Sequence, residues 1–187
     1  MQTGWLKLGG TWYWLDPQTG KMATGWTTAS DGHRYYFDGS GAMQTGWAKV
    51  GGTWYYLSGS GAMQTGWLSK GGSWYWLDPE SGRMATGWAK AADGKWYYFE
   101  GSGAMQSSRW LKQGTAWYYL SGSGAMQTGW LLTGGAWYWM DPESGMMATG
   151  WLENGGSWYY LDPSSGAMAT GTPVIDGTRY IFDDSDA

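Results

Sequence analysis

One short pattern repeats from one end of this chain to the other: Gly-Trp, six or seven residues, Trp-Tyr-(Tyr or Trp)-(Leu or Phe), a glycine-rich turn, then Met. Its leading Trp stands at Trp5, Trp26, Trp47, Trp67, Trp88, Trp110, Trp130 and Trp151, and Thr172 takes the ninth place. Steps of 20 to 22 residues divide the 187 residues into about nine units. No other feature constrains the fold as strongly, because a unit this short cannot bury a hydrophobic face by itself. It must stack on its neighbours, and any pocket formed between two units is copied along the array.

The units read as β-hairpins. In the first, Trp5-Leu6-Lys7-Leu8 and Thr11-Trp12-Tyr13-Trp14-Leu15 flank Gly9-Gly10, a two-residue loop suited to the turns that match strand twist. Pairing Leu8 with Thr11 sets Lys7 opposite Trp12, Leu6 opposite Tyr13 and Trp5 opposite Trp14. Side chains alternate faces along a strand, so Trp5, Trp12 and Trp14 share one face and Leu6 and Tyr13 the other. The second unit carries one extra residue before Arg34-Tyr35-Tyr36. A three-residue loop, Ser30-Asp31-Gly32, with the glycine in the left-handed region, keeps Trp26 opposite Tyr36. The fifth unit repeats both the insertion and the Asp93-Gly94 pair.

Between hairpins lie segments such as Asp16-Pro17-Gln18-Thr19-Gly20 and Ser58-Gly59-Ser60-Gly61, which read as turns. Asp16, Asp78, Asp141 and Asp162 precede the prolines and are expected to cap these turns. Aromatic residues are 19% of the chain, 18 of them Trp, and Ile and Val are almost absent. The apolar material is therefore expected to be aromatic rings and one Met per unit, without an aliphatic globular core.

The pattern T-G-W…G-G-x-W-Y-Y-L…G-A-M-x-T-G-W, carried closely by Thr45-Gly46-Trp47, Trp54-Tyr55-Tyr56-Leu57 and Gly61-Ala62-Met63, resembles the choline-binding repeat family of bacterial surface proteins and phage lysins. It is also similar to glucan-binding and clostridial-toxin repeats. The resemblance covers essentially the whole chain. It implies an all-β, left-handed solenoid of stacked hairpins that binds the choline of cell-wall teichoic acids between consecutive units. It further implies two Trp from one hairpin and one aromatic from the next at each site, often with a Met.

The residues make physical sense of such a site. A quaternary ammonium donates no ordinary hydrogen bond, and rings on several sides give it apolar contact and quadrupole attraction together. Carried over by position, the first cage is Trp5 and Trp12 with Tyr36, and the third is Trp47, Trp54 and Trp76. The fourth is Trp67, Trp74 and Tyr98; the fifth is Trp88, Trp96 and Tyr119. The sixth is Trp110, Trp117 and Trp139, and the seventh is Trp130, Trp137 and Tyr160. At the second junction Arg34 replaces a Trp, and after Trp151 and Trp158 Ile181 replaces the third aromatic, so these two junctions are expected to be weak or empty. The middle aromatics Tyr13, Tyr55, Tyr75, Tyr97, Tyr118, Tyr138 and Tyr159 fall on the opposite face and are expected to serve packing alone. Met43, Met63, Met84, Met105, Met126, Met147 and Met168, like Met22, each precede the next Trp. They either line the cages or fill the interior. In the sixth unit Ser107-Ser108-Arg109-Trp110 replaces Thr-Gly-Trp, and Arg109 is placed to tilt the local stacking.

Other functions find little support. The net charge of −4 comes without a basic cluster, which argues against nucleic acid as a partner. No run of about 18 apolar residues suggests a membrane span. With no Cys, a lone His33 and carboxylates that recur with the repeat, neither a metal site, a cofactor nor an enzyme active site is expected. The chain begins in mid-motif at Met1-Gln2-Thr3-Gly4-Trp5, without a secretion signal, and reads as a piece of a longer surface protein bound to the bacterial cell wall. Residues 1–187 are expected to form one array with 171–187 as an atypical end. That end, with Val174, Ile175 and Ile181 and the closing Asp183-Asp184-Ser185-Asp186, reads as a cap or as the surface of a homodimer, which the resemblance favours. Two rival functions remain: a glucan-binding array, and an inert, engineered spacer.

Overall fold

The computed structural model describes residues 2–182. The closing Asp183-Asp184-Ser185-Asp186 lies outside the described residues. The fold is all-β, with nine two-stranded antiparallel sheets and no helix among the described residues. Hairpins are numbered 1 to 9 in chain order. Two compact units are formed, one by Met1–Gly94 with Phe99–Met105 and one by Lys95–Tyr98 with Gln106–Ala187.

In the first unit, hairpin 1 pairs Gly4–Leu8 with Thr11–Leu15, and hairpin 2 pairs Gly25–Thr28 with Arg34–Phe37. Hairpin 3 pairs Gly46–Val50 with Thr53–Leu57, and hairpin 4 pairs Gly66–Lys70 with Ser73–Leu77. The strands Gly87–Lys90 and Trp96–Phe99 hold the fifth place. In the second unit, hairpins 6 and 7 pair Arg109–Gln113 with Ala116–Leu120 and Gly129–Thr133 with Ala136–Met140. Hairpins 8 and 9 pair Gly150–Asn154 with Ser157–Leu161 and the short Val174–Ile175 with Thr178–Arg179.

The register is the one the alternation of side chains requires: Trp5 opposite Trp14, Leu6 opposite Tyr13, Lys7 opposite Trp12 and Leu8 opposite Thr11. Gly9 and Gly10 have φ of 55° and 86°, the left-handed pair that a two-residue hairpin turn needs and that glycine adopts without strain. In hairpin 2 Trp26 stands opposite Tyr36, Ala29 and His33 close the loop, and Gly32 is left-handed at φ 80°. The extra residue is thus absorbed in the loop and parity is kept.

Hairpins 1 to 8 each have a front, carrying two or three large rings, and a back, carrying the middle aromatic and the last residue of the second strand. Hairpins stack front on back. The front Trp5 meets Tyr35 and Phe37 on the back of hairpin 2, at ring-centre distances of 4.7 and 6.0 Å. The same edge-on contact recurs as Trp26–Tyr55, Trp47–Tyr75, Trp110–Tyr138, Trp130–Tyr159 and Trp151–Tyr180, all between 4.8 and 4.9 Å. A backbone bond reinforces each step: the N–H of Met43 donates to the Trp12 carbonyl at 2.8 Å, and that of Met84 to the Trp54 carbonyl at 2.9 Å.

The buried core contains rings, as composition suggests, with Trp14, Tyr35, Trp76 and Tyr97 at most 6% exposed, but its most deeply buried side chains include leucines that composition does not single out. Its fully buried side chains are Phe37, Leu57, Leu77, Phe99, Leu120, Met140 and Leu161, each the last residue of a second strand and each at most 1% exposed. Leu15 holds that place in hairpin 1 but is only half-buried: among the described residues no other hairpin covers it. One Leu, Phe or Met side chain per unit is enough for a core this thin. The rings build its walls.

The turn aspartates act as expected. Asp16 accepts the Thr19 N–H at 2.7 Å and the Thr19 hydroxyl at 2.8 Å. Asp141 holds Ser144 in the same way.

Candidate aromatic ligand sites

Front-on-back stacking leaves open pockets beside three pairs of front indoles. Between hairpins 1 and 2 a pocket of about 300 Å³ is lined by Trp5, Trp12, Tyr35, Met43 and Ser60. Trp47, Trp54, Tyr75, Met84 and Ser102 line one of about 320 Å³. Trp110, Trp117, Tyr138, Met147, Ser164 and Ser165 line another of about 300 Å³. The three volumes are nearly equal, as expected of a pocket copied along a repeat.

The walls are set by strand geometry. Trp5 and Trp12 project from the same face of adjacent strands and meet at 85° and 6.1 Å. Trp47 and Trp54, and Trp110 and Trp117, each meet at 88°. Trp67 and Trp74, and Trp130 and Trp137, also meet at 88°, at 6.2 and 6.3 Å. The second Trp of each pair is the outer wall, with Trp12, Trp54 and Trp117 36 to 39% exposed.

The third ring is not the one the repeat position suggested. Tyr35, Tyr75 and Tyr138, the middle aromatics, close the pockets. Tyr36, Trp76, Trp139 and Tyr160 instead sit beside the first Trp of their own hairpins, Trp26, Trp67, Trp130 and Trp151, at 5.1 to 5.2 Å. Tyr119 likewise backs Trp110 at 5.2 Å. The reason is directional stacking: the third aromatic shares a face with its own Trp and so looks toward the following unit, not the preceding one. Trp76 is only 4% exposed and braces Trp67. The groups Trp67, Trp74 and Tyr98, and Trp88, Trp96 and Tyr119, draw residues from both compact units. Within its own unit the Tyr98 carbonyl accepts the Gln106 N–H at 2.9 Å, and Trp96 is 40% exposed.

The methionines divide between the two roles open in the sequence by doing both. Met43, Met84 and Met147 line pockets and are also wedged against Gly61, Gly103 and Gly166 of the following turn, where a Cβ would overlap the Met side chain. Three consecutive repeats therefore build one pocket, a contribution invisible to pairwise reasoning. Met63, Met126 and Met168 hold the same backbone place, bonded at 2.8 Å to the carbonyls of Arg34, Trp96 and Trp137. The Met105 N–H bonds the Trp74 carbonyl at 2.8 Å.

The irregular junctions have physical explanations. Arg34 lays its guanidinium 4.9 Å from the Trp26 ring centre, so a cation of the protein takes a ring that elsewhere faces the pocket. After hairpin 8, Ile181 does not remove the third ring, because Tyr180 is the residue that meets Trp151. That group lacks a Met among the described residues, and Trp158 is 61% exposed. Arg109 does not tilt its unit: Trp110 keeps distances of 6.5, 5.2 and 4.9 Å to Trp117, Tyr119 and Tyr138, close to those around Trp47.

Chemically, each pocket offers π-faces and a thioether, with one or two Ser hydroxyls at the edge. Those of Ser164 and Ser165 already donate to Asp162, at 2.6 and 2.8 Å. Among the described residues no cluster of three His, Asp or Glu side chains could hold a metal ion.

The family model for the choline-binding repeat matches residues 2–45, 44–86, 65–110, 111–149 and 141–172. The chain belongs to the choline-binding repeat family. As a member, it is a choline-binding repeat module. Choline binding protein F of Streptococcus pneumoniae is 39% identical over 90% of the chain, with a TM-score of 0.77, and the match spans 58% of that protein's solved chain. The same protein has been solved in complex with ipratropium, introduced by soaking. CbpJ of Streptococcus pneumoniae TIGR4 is 29% identical, with a TM-score of 0.73, over 98% of this chain and 86% of its own. The choline-binding domain of CbpL from Streptococcus pneumoniae is 30% identical, also at 0.73, over 99% of this chain and 96% of its own. No curated protein matches.

Proposed function

We propose that this array is a multivalent module that holds a larger protein at the bacterial cell wall by gripping the choline groups of teichoic acids. The carrying observation is the repeated pocket of two perpendicular indoles, a back-face tyrosine and a methionine. Trp5, Trp12, Tyr35 and Met43 form the first, Trp47, Trp54, Tyr75 and Met84 another, and Trp110, Trp117, Tyr138 and Met147 a third. Trp130, Trp137 and Tyr159 stand in the same relation, with Met168 in the corresponding place. Ipratropium, the ligand soaked into choline binding protein F, is a quaternary ammonium, which supports the same ligand chemistry here.

One such cage supplies about 0.5 to 2 kcal/mol of cation–π attraction besides apolar contact, so a single site is weak. Several along one array raise the hold on a polymer by roughly 10² to 10⁴. A glucan would require free polar groups beside the rings, and the hydroxyls of Ser164 and Ser165 are already engaged. The array works as one domain that binds and does not catalyse, with residues 171–187 as its end. Val174 and Ile181 are 62 and 83% exposed on that end, which supports reading it as the place where two copies meet. Sedimentation of the whole chain separates a dimer from a capped monomer.

A ligand that binds only the folded state stabilises it by RT ln(1 + [L]/Kd), about 1.4 kcal/mol per site at ten times Kd. Choline should therefore raise the melting temperature and change the near-UV aromatic dichroism, and dextran should do neither. A response to dextran alone would move the assignment to carbohydrate.

A further inference from the structure

Each of the three pockets carries a lysine on the indole that forms its outer wall. The strand register sets Lys7 opposite Trp12, Lys49 opposite Trp54 and Lys112 opposite Trp117. Residues directly opposite in an antiparallel pair share a face and touch. The ammonium groups lie 5.3, 5.8 and 5.4 Å from those ring centres, within the roughly 6 Å reach of a cation–π contact. No lysine is among the residues lining the three pockets, so each approaches the ring from beside the cavity. The indole meant for a cationic ligand thus already serves a cation of the protein. In hairpins 7, 4 and 8 the opposing residue is not a lysine: Leu132 faces Trp137, Ser69 faces Trp74, and Glu153 faces Trp158.

We infer that the residue opposite the second tryptophan sets each cage's affinity for a quaternary ammonium, so that the Leu132 cage fills before the three lysine cages. The inference rests on the choline reading above. An indole face is a fixed charge distribution, and a positive charge already against it lowers its attraction for another. Direct repulsion between the two cations adds to this. For charges about 8 Å apart in a partly wetted site, the combined penalty corresponds to a three- to tenfold loss of affinity, on the order of what Coulomb's law gives at intermediate dielectric. Because the lysines are at the surface, salt screens the penalty. The lysine cages should therefore tighten toward the Leu132 cage as ionic strength rises.

The methionines give a site-by-site readout in the full chain. Met43, Met84 and Met147 line the cages of Lys7, Lys49 and Lys112, and Met168 is bonded through its N–H to the Trp137 carbonyl beside Leu132. With ¹³C-methyl methionine, choline is titrated while each methyl resonance is followed. At low salt the Met168 midpoint should fall about three- to tenfold below the other three, and the gap should narrow in about 0.5 M salt. Lys49→Gln should move the Met84 midpoint to lower choline and leave Met43 in place. Leu132→Lys should move Met168 to higher choline. The ligand-free melting temperature of each variant shows whether the hairpin itself has been disturbed. A Met84 midpoint unmoved by Lys49→Gln, in a chain that still binds choline, overturns the inference alone. Silence of every methyl would bring down the choline reading with it.

Discussion

Trp47 meets Tyr75 edge to face at 4.9 Å, while Trp76, the next residue, turns to the other side of its strand and backs Trp67 at 5.1 Å. Neighbours in sequence therefore serve different pockets and different purposes. Tyr75→Ala should remove one bound choline from the stoichiometry and leave the other sites near their original affinity. Trp76→Ala should cost about 3 to 5 kcal/mol of stability, as removal of a buried indole does. Calorimetric titration and urea unfolding of the two variants check the contrast. Equal loss of choline in both would mean that the face assignment is wrong.

Arg34 fills the place of the outer Trp at the second junction, where Trp26 and the back-face Tyr55 are already in contact at 4.8 Å. The Met63 N–H bonds the Arg34 carbonyl at 2.8 Å, so the backbone of a complete cage is in place. Arg34→Trp should raise the number of cholines bound by one and increase the melting-temperature gain on adding choline. An unchanged stoichiometry by calorimetry would show that this junction is closed for another reason.

The hairpins, their register and the loop of hairpin 2 were legible because strand parity leaves one solution once the loop length is known. Turn capping by Asp16 and Asp162 was legible for the same local reason. The third ring was not read correctly, although the information was present. Tyr36 and Trp26 share a face, and an array that stacks in one direction must join unlike faces, front on back, as any head-to-tail interface does. Parity combined with that rule selects Tyr35. What the sequence could not show is the route of the connecting turn. It carries Met43 back to the Trp12 carbonyl and sets Ser60 at the same pocket, contacts between positions in three different repeats. Leu57 and Leu161 escaped notice as the core because rings outnumber them, whereas burial depends on covered faces and not on composition.

Stability should fall at both ends of the pH range. The Ser164 hydroxyl, then the Ser165 N–H and hydroxyl, hold Asp162 at about 2, and similar turn bonds lower Asp16, Asp38, Asp78 and Asp141. Unfolded, these carboxyls titrate near 3.9. A carboxyl depressed in the folded state contributes stability above that value and loses it as pH falls toward 2. Burial first, and then its 2.6 Å bond to Asp31, push the Tyr35 phenol up to about 12. Its contribution is complete below about pH 10 and is lost as pH rises toward 12. Thermal melts across pH should show both limbs, and Tyr35→Phe should weaken the alkaline one. An alkaline limb unaffected by Tyr35→Phe would assign it to other groups.

Ser108 sits at φ 53°, one residue before Arg109, which takes the register place that Gly46 holds in hairpin 3 (Arg109 opposite Leu120, Gly46 opposite Leu57). A side chain in the left-handed region costs roughly 1 to 2 kcal/mol, and part of the gain on replacing it is offset by the freedom glycine has when unfolded. Ser108→Gly should stabilise the second unit by about 0.5 to 1 kcal/mol. Choline binding should be unaltered, since the ring distances around Trp110 already match those around Trp47. Chemical denaturation with and without choline tests both parts, and a loss of stability would contradict the conformational argument.

Gly61 is left-handed at φ 87°, and a Cβ there would overlap the side chain of Met43, which lines the pocket of Trp5 and Trp12. Two penalties therefore fall on Gly61→Ala, one in the backbone and one on the cage. The backbone penalty alone is about 1 to 2 kcal/mol. The new methyl must also displace Met43, and the nearest free volume is the pocket itself, so the first cage should lose its choline while the cage of Met84 keeps its own. Gly59→Ala, in the same turn, has open space around the added methyl and an ordinary φ, and should change neither stability nor binding. Methyl resonances of Met43 and Met84 during a choline titration distinguish the outcomes. If Gly61→Ala destabilises the chain but Met43 still reports full binding, the methionine is a spacer of the stack and not a wall of the cage.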